Sequence, residues 1–207
     1  MSKIPSGQFL VDYEIIEAIR AGELLIEGLD PDNEEDLLRV QPASLDIRLG
    51  DFGNPDSTPI ERTRRTYTNA KGERVEAQGW WAEPGVLYLG SSTERFVLRP
   101  DYKLQLHGKS SIGRIGAVVH LTAGLIDPGF DGRIVFEIAN LMLNNDHCGR
   151  DVWFDVNQPI CQVEILKLKN SAAKPYGPSR GSSYAGQDGL RSSRLWDTHT
   201  RMRVSSV

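Results

Sequence analysis

The chain has 207 residues, 39% of them hydrophobic and 25% charged, with a net charge of −4 at pH 7. That suits one soluble globular domain with a sizeable core and argues against a general nucleic-acid binder, which would carry a basic excess. No run approaches the roughly 18 apolar residues of a membrane span, and the N-terminus lacks a long apolar stretch, so a cytoplasmic protein that contacts neither membrane nor nucleic acid is expected. The two cysteines, Cys148 and Cys161, form no CxxC pair and are expected as free thiols.

Charge is unevenly distributed. Residues 1–40 hold ten acidic and three basic side chains, whereas residues 170–207 hold six basic and two acidic. The basic tail reads either as a solvated end or as an arm that closes over phosphate.

In chain order, residues 12–22 (DYEIIEAIRAG) place Ile15, Ile16 and Ile19 at helical spacing, with Asp12 as N-cap and Gly22 as the stop. A short strand follows at 24–26, then a polar acidic loop at 30–36. Residues 43–50 (ASLDIRLG) alternate Leu45, Ile47 and Leu49 with Asp46 and Arg48, a half-buried strand on whose polar face a salt bridge between Asp46 and Arg48 is the ordinary expectation. Residues 51–85 show no convincing period and read as loops or ragged hairpins ending near Trp80 and Trp81, which suit core or interface anchors. Short strands are then expected at 86–89, 94–98, 102–107, 117–121, 133–141, 152–156 and 160–168, and the apolar pattern ends after Asn170. Many short strands separated by turns imply an all-β sandwich or barrel.

The chemistry concentrates in residues 108–140, where hydroxyls, Lys109, Arg114, His120, Asp127 and Glu137 punctuate glycine-rich turns. If 110–114 form one helical turn, Ser110 and Arg114 share a face and the serines cap it, beside Lys109. Asp127 precedes Pro-Gly, which is ordinary turn chemistry. In IVFEIA, Ile134, Phe136 and Ile138 make one face, and Glu137 shares the other with Val135 and Ala139. A carboxylate there either meets solvent or sits in a half-apolar pocket, where desolvation would raise its pKa toward that of a working base. His120 ends a strand and suits a satisfied polar residue. No HxE followed by PCxxC occurs, so the zinc-deaminase pattern is absent.

The segment KSSIGRIGAVVHLTAGLIDPGFDGRIVFEIAN resembles the central signature of the dCTP deaminases of the trimeric dUTPase superfamily. ASLDIRLG is similar to their first motif, NQPICQV to a later turn and strand, and YAGQDG followed by Ser193-Arg194 to their C-terminal motif. The resemblance runs from about Asp12 to Arg194 and is weakest over 51–85. It implies a mainly β, dUTPase-like distorted barrel or jelly roll with a short N-terminal helix. Residues 1–170 would form the nucleotide-binding domain and 171–207 a flexible arm or lid belonging to it. It also implies a homotrimer with sites between subunits.

The activity implied is zinc-free hydrolysis of dCTP to dUTP and ammonia, with Glu137 as general base and Ser110 and Arg114 orienting water and stabilising developing charge. Lys109, Ser111, Gln162, Tyr184 and Gln187 would hold the triphosphate, Asp127 the deoxyribose, and Tyr176 a further part of the nucleotide. Ile112, Gly113, Ala123, Val135 and Phe136 complete the substrate-binding set by the same resemblance. Mg²⁺ would accompany the phosphates, and dUTP and dTTP are further candidate ligands. Two positions depart from the family pattern: Lys109 replaces an arginine, keeping charge without the bidentate fork, and Ser183 replaces a lysine, which Arg180 or Arg191 would have to make good. Alternatives are a bifunctional enzyme that continues to dUMP and pyrophosphate, to which Gly124 points, a plain dUTPase, which Glu137 disfavours, and a non-catalytic nucleotide-binding protein.

Overall fold

The computed structural model describes residues 4–122, 124–142 and 150–195. Strand β1 (Gln8–Phe9) leads to helix α1 (Asp12–Arg20), β2 (Leu25–Glu27), the short α2 (Glu34–Leu37), β3 (Val40–Gln41) and β4 (Ser44–Gly53). Next come β5 (Thr63–Thr68), β6 (Arg74–Ala82), β7 (Leu87–Val97), β8 (Tyr102–Gly108) and the one-turn α3 (Ser110–Gly113). The chain continues through β9 (Ala117–Val119), β10 (Leu125–Ile126), β11 (Asp131–Asn140), β12 (Val152–Asp155) and β13 (Pro159–Lys167). The mainly β architecture expected from the strand spacing is borne out.

One antiparallel sheet runs β10-β8-β13-β4-β7-β11-β9, and β1, β2 and β3 flank it. Its two end strands, β9 and β10, are joined by only residues 120–124, which can span roughly 17 Å at full extension. A seven-strand path whose ends lie that close must curl back on itself. The closure is visible in hydrogen bonds: His120 N donates to Glu137 O on the β11 side at 2.9 Å, and Leu106 N donates to Gly124 O on the β8 side at 2.7 Å. Leu45, Ile47, Leu49, Phe96, Leu104, Phe136, Ile138 and Val163, buried within the curl, form the centre of the core.

Several sequence expectations need correction. Of the two readings offered for residues 51–85, the hairpin holds over β5 and β6, which pair from Thr63↔Gly79 to Thr68↔Arg74, but it is regular rather than ragged, and β12 on the other side of β6 completes a second, three-stranded sheet. The exposed polar face of β5 hid its periodicity. Trp80 is buried in the core, with its indole N–H on Ile60 O, while Trp81 faces outward and packs edge-on against Trp153. The two strands expected at 86–89 and 94–98 are one, β7, because Gly90, Ser91 and Ser92 continue the ladder opposite Phe136, Val135 and β4. The acidic stretch at 30–36 contains the start of α2, capped by the Asn33 side chain. Val11, not Asp12, is the N-cap of α1, and the Glu14 carboxylate accepts its N–H; Gly22, at φ +66°, stops the helix as expected.

Asp46 and Arg48 do not pair with each other. Asp46 holds Lys109, and Arg48 joins Arg39 on the buried Glu94 carboxylate, which also accepts Arg48 N–H. Arg39 reaches on to Asp36 and Gly28 O, both at 2.7 Å, so this network ties α2 and the turn at Gly28 to the middle of β7. Beyond β13 a 3-10 turn lies at Pro178–Arg180. This C-terminal segment lies along the start of β11 (Gly186 N to Asp131 O, 2.9 Å; Arg133 N to Gln187 O, 2.9 Å). Among the described residues no helix is long and apolar enough to cross a membrane.

Candidate active site

β11 alternates cleanly, with Ile134, Phe136 and Ile138 buried and Val135 and Glu137 half-exposed on the opposite face. Its ladder with β7 sets Leu89 opposite Glu137 and Leu87 opposite Ala139, so the carboxylate rises from an aliphatic surface. A cavity of about 410 Å³ lies over this surface, walled by Leu87, Leu89, Leu125, Ile134 and Val135. Its polar lining is Asp127, Glu137, Tyr176, Tyr184, Gln187, Arg191 and Ser193. An apolar cleft with a few convergent polar groups is the usual form of a small-molecule site.

Backbone conformation fixes the carboxylate. His120 adopts φ +66°, uncommon for a residue with a side chain. The turn it makes sends two successive N–H groups to Glu137: His120 N to the carbonyl at 2.9 Å and Leu121 N to Oε2 at 3.1 Å. One carboxylate oxygen is thereby held, and Oε1 has no protein partner among the described residues. His120 Nδ1, in contrast to the satisfied polar residue expected, is buried with no hydrogen-bond partner among the described residues.

The C-terminal segment supplies the rest of the cavity. Tyr176 N donates to Pro128 O at 2.7 Å, and its ring packs against Phe130. Burial pushes the Tyr176 phenol above its ordinary pKa, and its oxygen accepts Tyr184 N–H at 3.0 Å. The Tyr184 hydroxyl in turn accepts Arg194 N–H at 3.0 Å. Gln187 is buried, its amide donating to Arg133 O at 2.8 Å, so in this form it anchors the segment to β11.

The other candidates gather elsewhere. Ser110 and Ser111 lie within the first turn of α3, and the N-cap is Lys109, whose side chain makes no cap bond; the serine cap expected is not formed. Ser110, Ser111, Gly113 and Arg114 are exposed. Ile112 is a core anchor, as is Phe136, so neither presents its side chain to a ligand. Lys109 Nζ is held by Asp46, whose second oxygen is buried without a partner among the described residues. Gln162 stands opposite Asp46 on β4 and His107 on β8, beside this pair. Ala123 lies outside the described residues. Within one chain, then, the cavity holds Asp127, Val135, Glu137, Tyr176, Tyr184 and Gln187, and the α3 group does not line it.

The sequence model of the family described as dCTP deaminase-like matches residues 9–167. The chain belongs to the dCTP deaminase-like family. Over 193 residues it is 35% identical to the dCTP deaminase of Halorubrum lacusprofundi, a match covering 90% of each chain. It is 37% identical over 194 residues to the "dCTP deaminase, dUMP-forming" of Halobacterium salinarum, covering 90% of this chain and 94% of that one. Among solved structures, the 2'-deoxycytidine 5'-triphosphate deaminase of Agrobacterium tumefaciens superposes with a TM-score of 0.52 at 23% identity, over 76% of this chain. The match spans 47% of that chain, and it supports the shared fold.

Sequence reasoning missed Leu87, Leu89 and Leu125 in the cavity lining, and it named Arg191 only alongside Arg180 as a stand-in for the missing lysine. The first three follow only from the β7–β11 register and from β10, a two-residue strand. Arg191 follows only from the path of the C-terminal segment.

Proposed function

We propose that this chain is a dCTP deaminase: it hydrolyses the exocyclic amine of the cytosine in dCTP, giving dUTP and ammonia. The observation that carries this reading is the Glu137 carboxylate, fixed through one oxygen by Leu121 N–H inside an aliphatic cleft, in a chain of the dCTP deaminase-like family. The free Oε1 takes a proton from water as the water oxygen bonds to the amine-bearing carbon; of the two water protons one ends on the ring nitrogen N3 and the other on the amine, so that the C–N bond breaks with ammonia leaving and the oxygen becomes the uracil carbonyl. The aliphatic walls exclude competing water, and Asp127 contacts the deoxyribose.

Ser110 and Arg114, which would orient the water and stabilise the developing charge, lie outside this cavity in their own chain. A second copy must therefore bring its α3 to the cleft, and the reading includes a homotrimer with sites between subunits. Lys109, Ser111 and Gln162 arrive with the same surface to meet the phosphates. The C-terminal segment serves as a lid over the bound nucleotide. The same reading has Mg²⁺ accompany the triphosphate, where it would supply charge neutralisation.

A second reading, favoured by relatives named dUMP-forming, continues from dUTP to dUMP and pyrophosphate. Product analysis tests both. Purified protein with dCTP and Mg²⁺ should release ammonia and dUTP. Persistence of dUTP supports the first reading, recovery of dUMP and pyrophosphate supports the second, and no ammonia refutes both.

A further inference from the structure

The C-terminal segment carries three arginines among its described residues, and two are spent on its own backbone. Arg180 Nη1 donates to Lys174 O at 3.2 Å, and Arg194 Nη1 donates to Ser183 O at 2.7 Å. Arg191 makes no hydrogen bond, ion pair or ring contact among the described residues, yet it lines the Glu137 cavity. It is the one cation among the described lining residues, alongside the carboxylates of Asp127 and Glu137. Formally the lining carries −1 with Arg191 and −2 without it.

That balance is unsuited to a polyanion unless the guanidinium meets it. The aliphatic walls and Glu137 account for a base, and among the described residues nothing else in the cavity offers a positive charge to a phosphate chain. Ser193, which also lines the cavity, accepts Leu195 N–H through Oγ at 3.2 Å and so keeps its O–H free to donate. We propose that Arg191 is the phosphate ligand of the C-terminal segment, and that it sets the preference for a nucleoside triphosphate over a monophosphate. The inference rests on the dCTP reading for the identity of the nucleotide, but not for the anion site itself. A guanidinium spans two phosphate oxygens with its planar fork. Its contribution grows with the charge of the tail and falls with ionic strength.

The test compares full-length wild type, Arg191→Ala and Arg191→Lys with dCTP and with dCMP in the presence of Mg²⁺. For Arg191→Ala, kcat/KM for dCTP should fall about 10–100-fold, through KM rather than kcat, as expected for loss of one charge-assisted contact. The fall for dCMP should be far smaller, and Arg191→Lys should recover part of the loss. An equal fall with both substrates, or an unchanged KM for dCTP, overturns the assignment. Calorimetric titration with inorganic tripolyphosphate provides a readout independent of turnover. Arg191→Ala should weaken that binding about tenfold or more, and unchanged affinity overturns the proposal. If wild type releases no ammonia from dCTP, the deaminase reading fails, and the tripolyphosphate titration alone decides the role of Arg191.

Discussion

Glu137→Gln separates chemistry from folding at the proposed site. The substitution keeps the size and shape of the side chain, and the amide oxygen still accepts the Leu121 N–H that Oε2 now receives at 3.1 Å. Because Glu137 is half-exposed and that contact is a single neutral-donor hydrogen bond, its loss in full would cost only about 0.5–1.5 kcal/mol. For a chain of this length that is a fall in Tm of at most about 6 °C, and retention of the acceptor should make it smaller. What the amide cannot do is take a proton from water. General-base catalysis contributes about 10²–10⁴-fold, so ammonia release should fall by that factor, equivalent to about 3–5 kcal/mol at roughly 1.36 kcal/mol per decade. Affinity for dCTP, measured calorimetrically, should remain near wild type. A variant with kcat within about tenfold of wild type would remove Glu137 as the base.

Three further outcomes follow from the structure. Glu94→Gln leaves Arg39 and Arg48 without the buried carboxylate they share, and should cost about 3–5 kcal/mol in urea unfolding; a loss below about 1 kcal/mol would place the network's worth at the level of a surface pair. Gly132 has φ +153°, and a Cβ there would stand 2.6 Å from Gln187 O, so Gly132→Ala should lift the C-terminal segment from β11 and speed tryptic cleavage at Arg180 and Arg191. Unchanged digestion would show that the segment is anchored elsewhere. Burial pushes the Cys161 thiol well above its ordinary pKa, leaving little thiolate at about pH 8; in a Cys148→Ser background, iodoacetamide should modify Cys161 only after unfolding, and fast labelling of the folded protein would contradict this.

What the sequence made legible was set by periodicity. The alternation in LDIRL and in IVFEI announced β4 and the placement of Glu137 on the face opposite the core, because a period of two is a local property. β5 escaped because its burial does not alternate: Thr63, Arg64, Thr66, Tyr67 and Thr68 are all exposed, and pairing with β6, rather than a buried face, holds it. β7 looked like two strands because Gly90, Ser91 and Ser92 interrupt its apolar run. Gly90 is there for packing, since a Cβ would meet Leu49 Cδ1 at 2.7 Å and Ile138 Cδ1 at 2.8 Å. The partners of Asp46 and Arg48 were illegible for a different reason. Lys109 and Glu94 lie 63 and 46 residues away, and only strand order brings them together. The candidate site divides in the same way. Glu137 and Asp127 could be named from a motif, but the division of the called residues between the cavity and the α3 surface depends on the curl of the sheet.

That curl also bears on Gly124, the residue that points toward the dUMP-forming alternative. A Cβ at 124 would stand 2.7 Å from Gln105 Nε2 and 2.9 Å from Leu106 O, in the contact where the β9–β10 connection meets β8. Gly124 therefore has a packing reason to be glycine that is independent of which product is released. The same connection delivers Leu121 N–H to the Glu137 carboxylate, so closing the sheet and aiming that carboxylate are one piece of backbone. Gly124→Ala should consequently lose stability, by about 1–3 kcal/mol for an overpacked contact, or about 2–12 °C in Tm. Ammonia release per folded molecule should fall with it as Leu121 shifts. Glu137→Gln, by contrast, should lose ammonia release with little change in Tm. If Gly124→Ala unfolds earlier yet deaminates normally below its Tm, the connection closes the sheet without orienting Glu137, and the aim of the carboxylate must come from β11 alone.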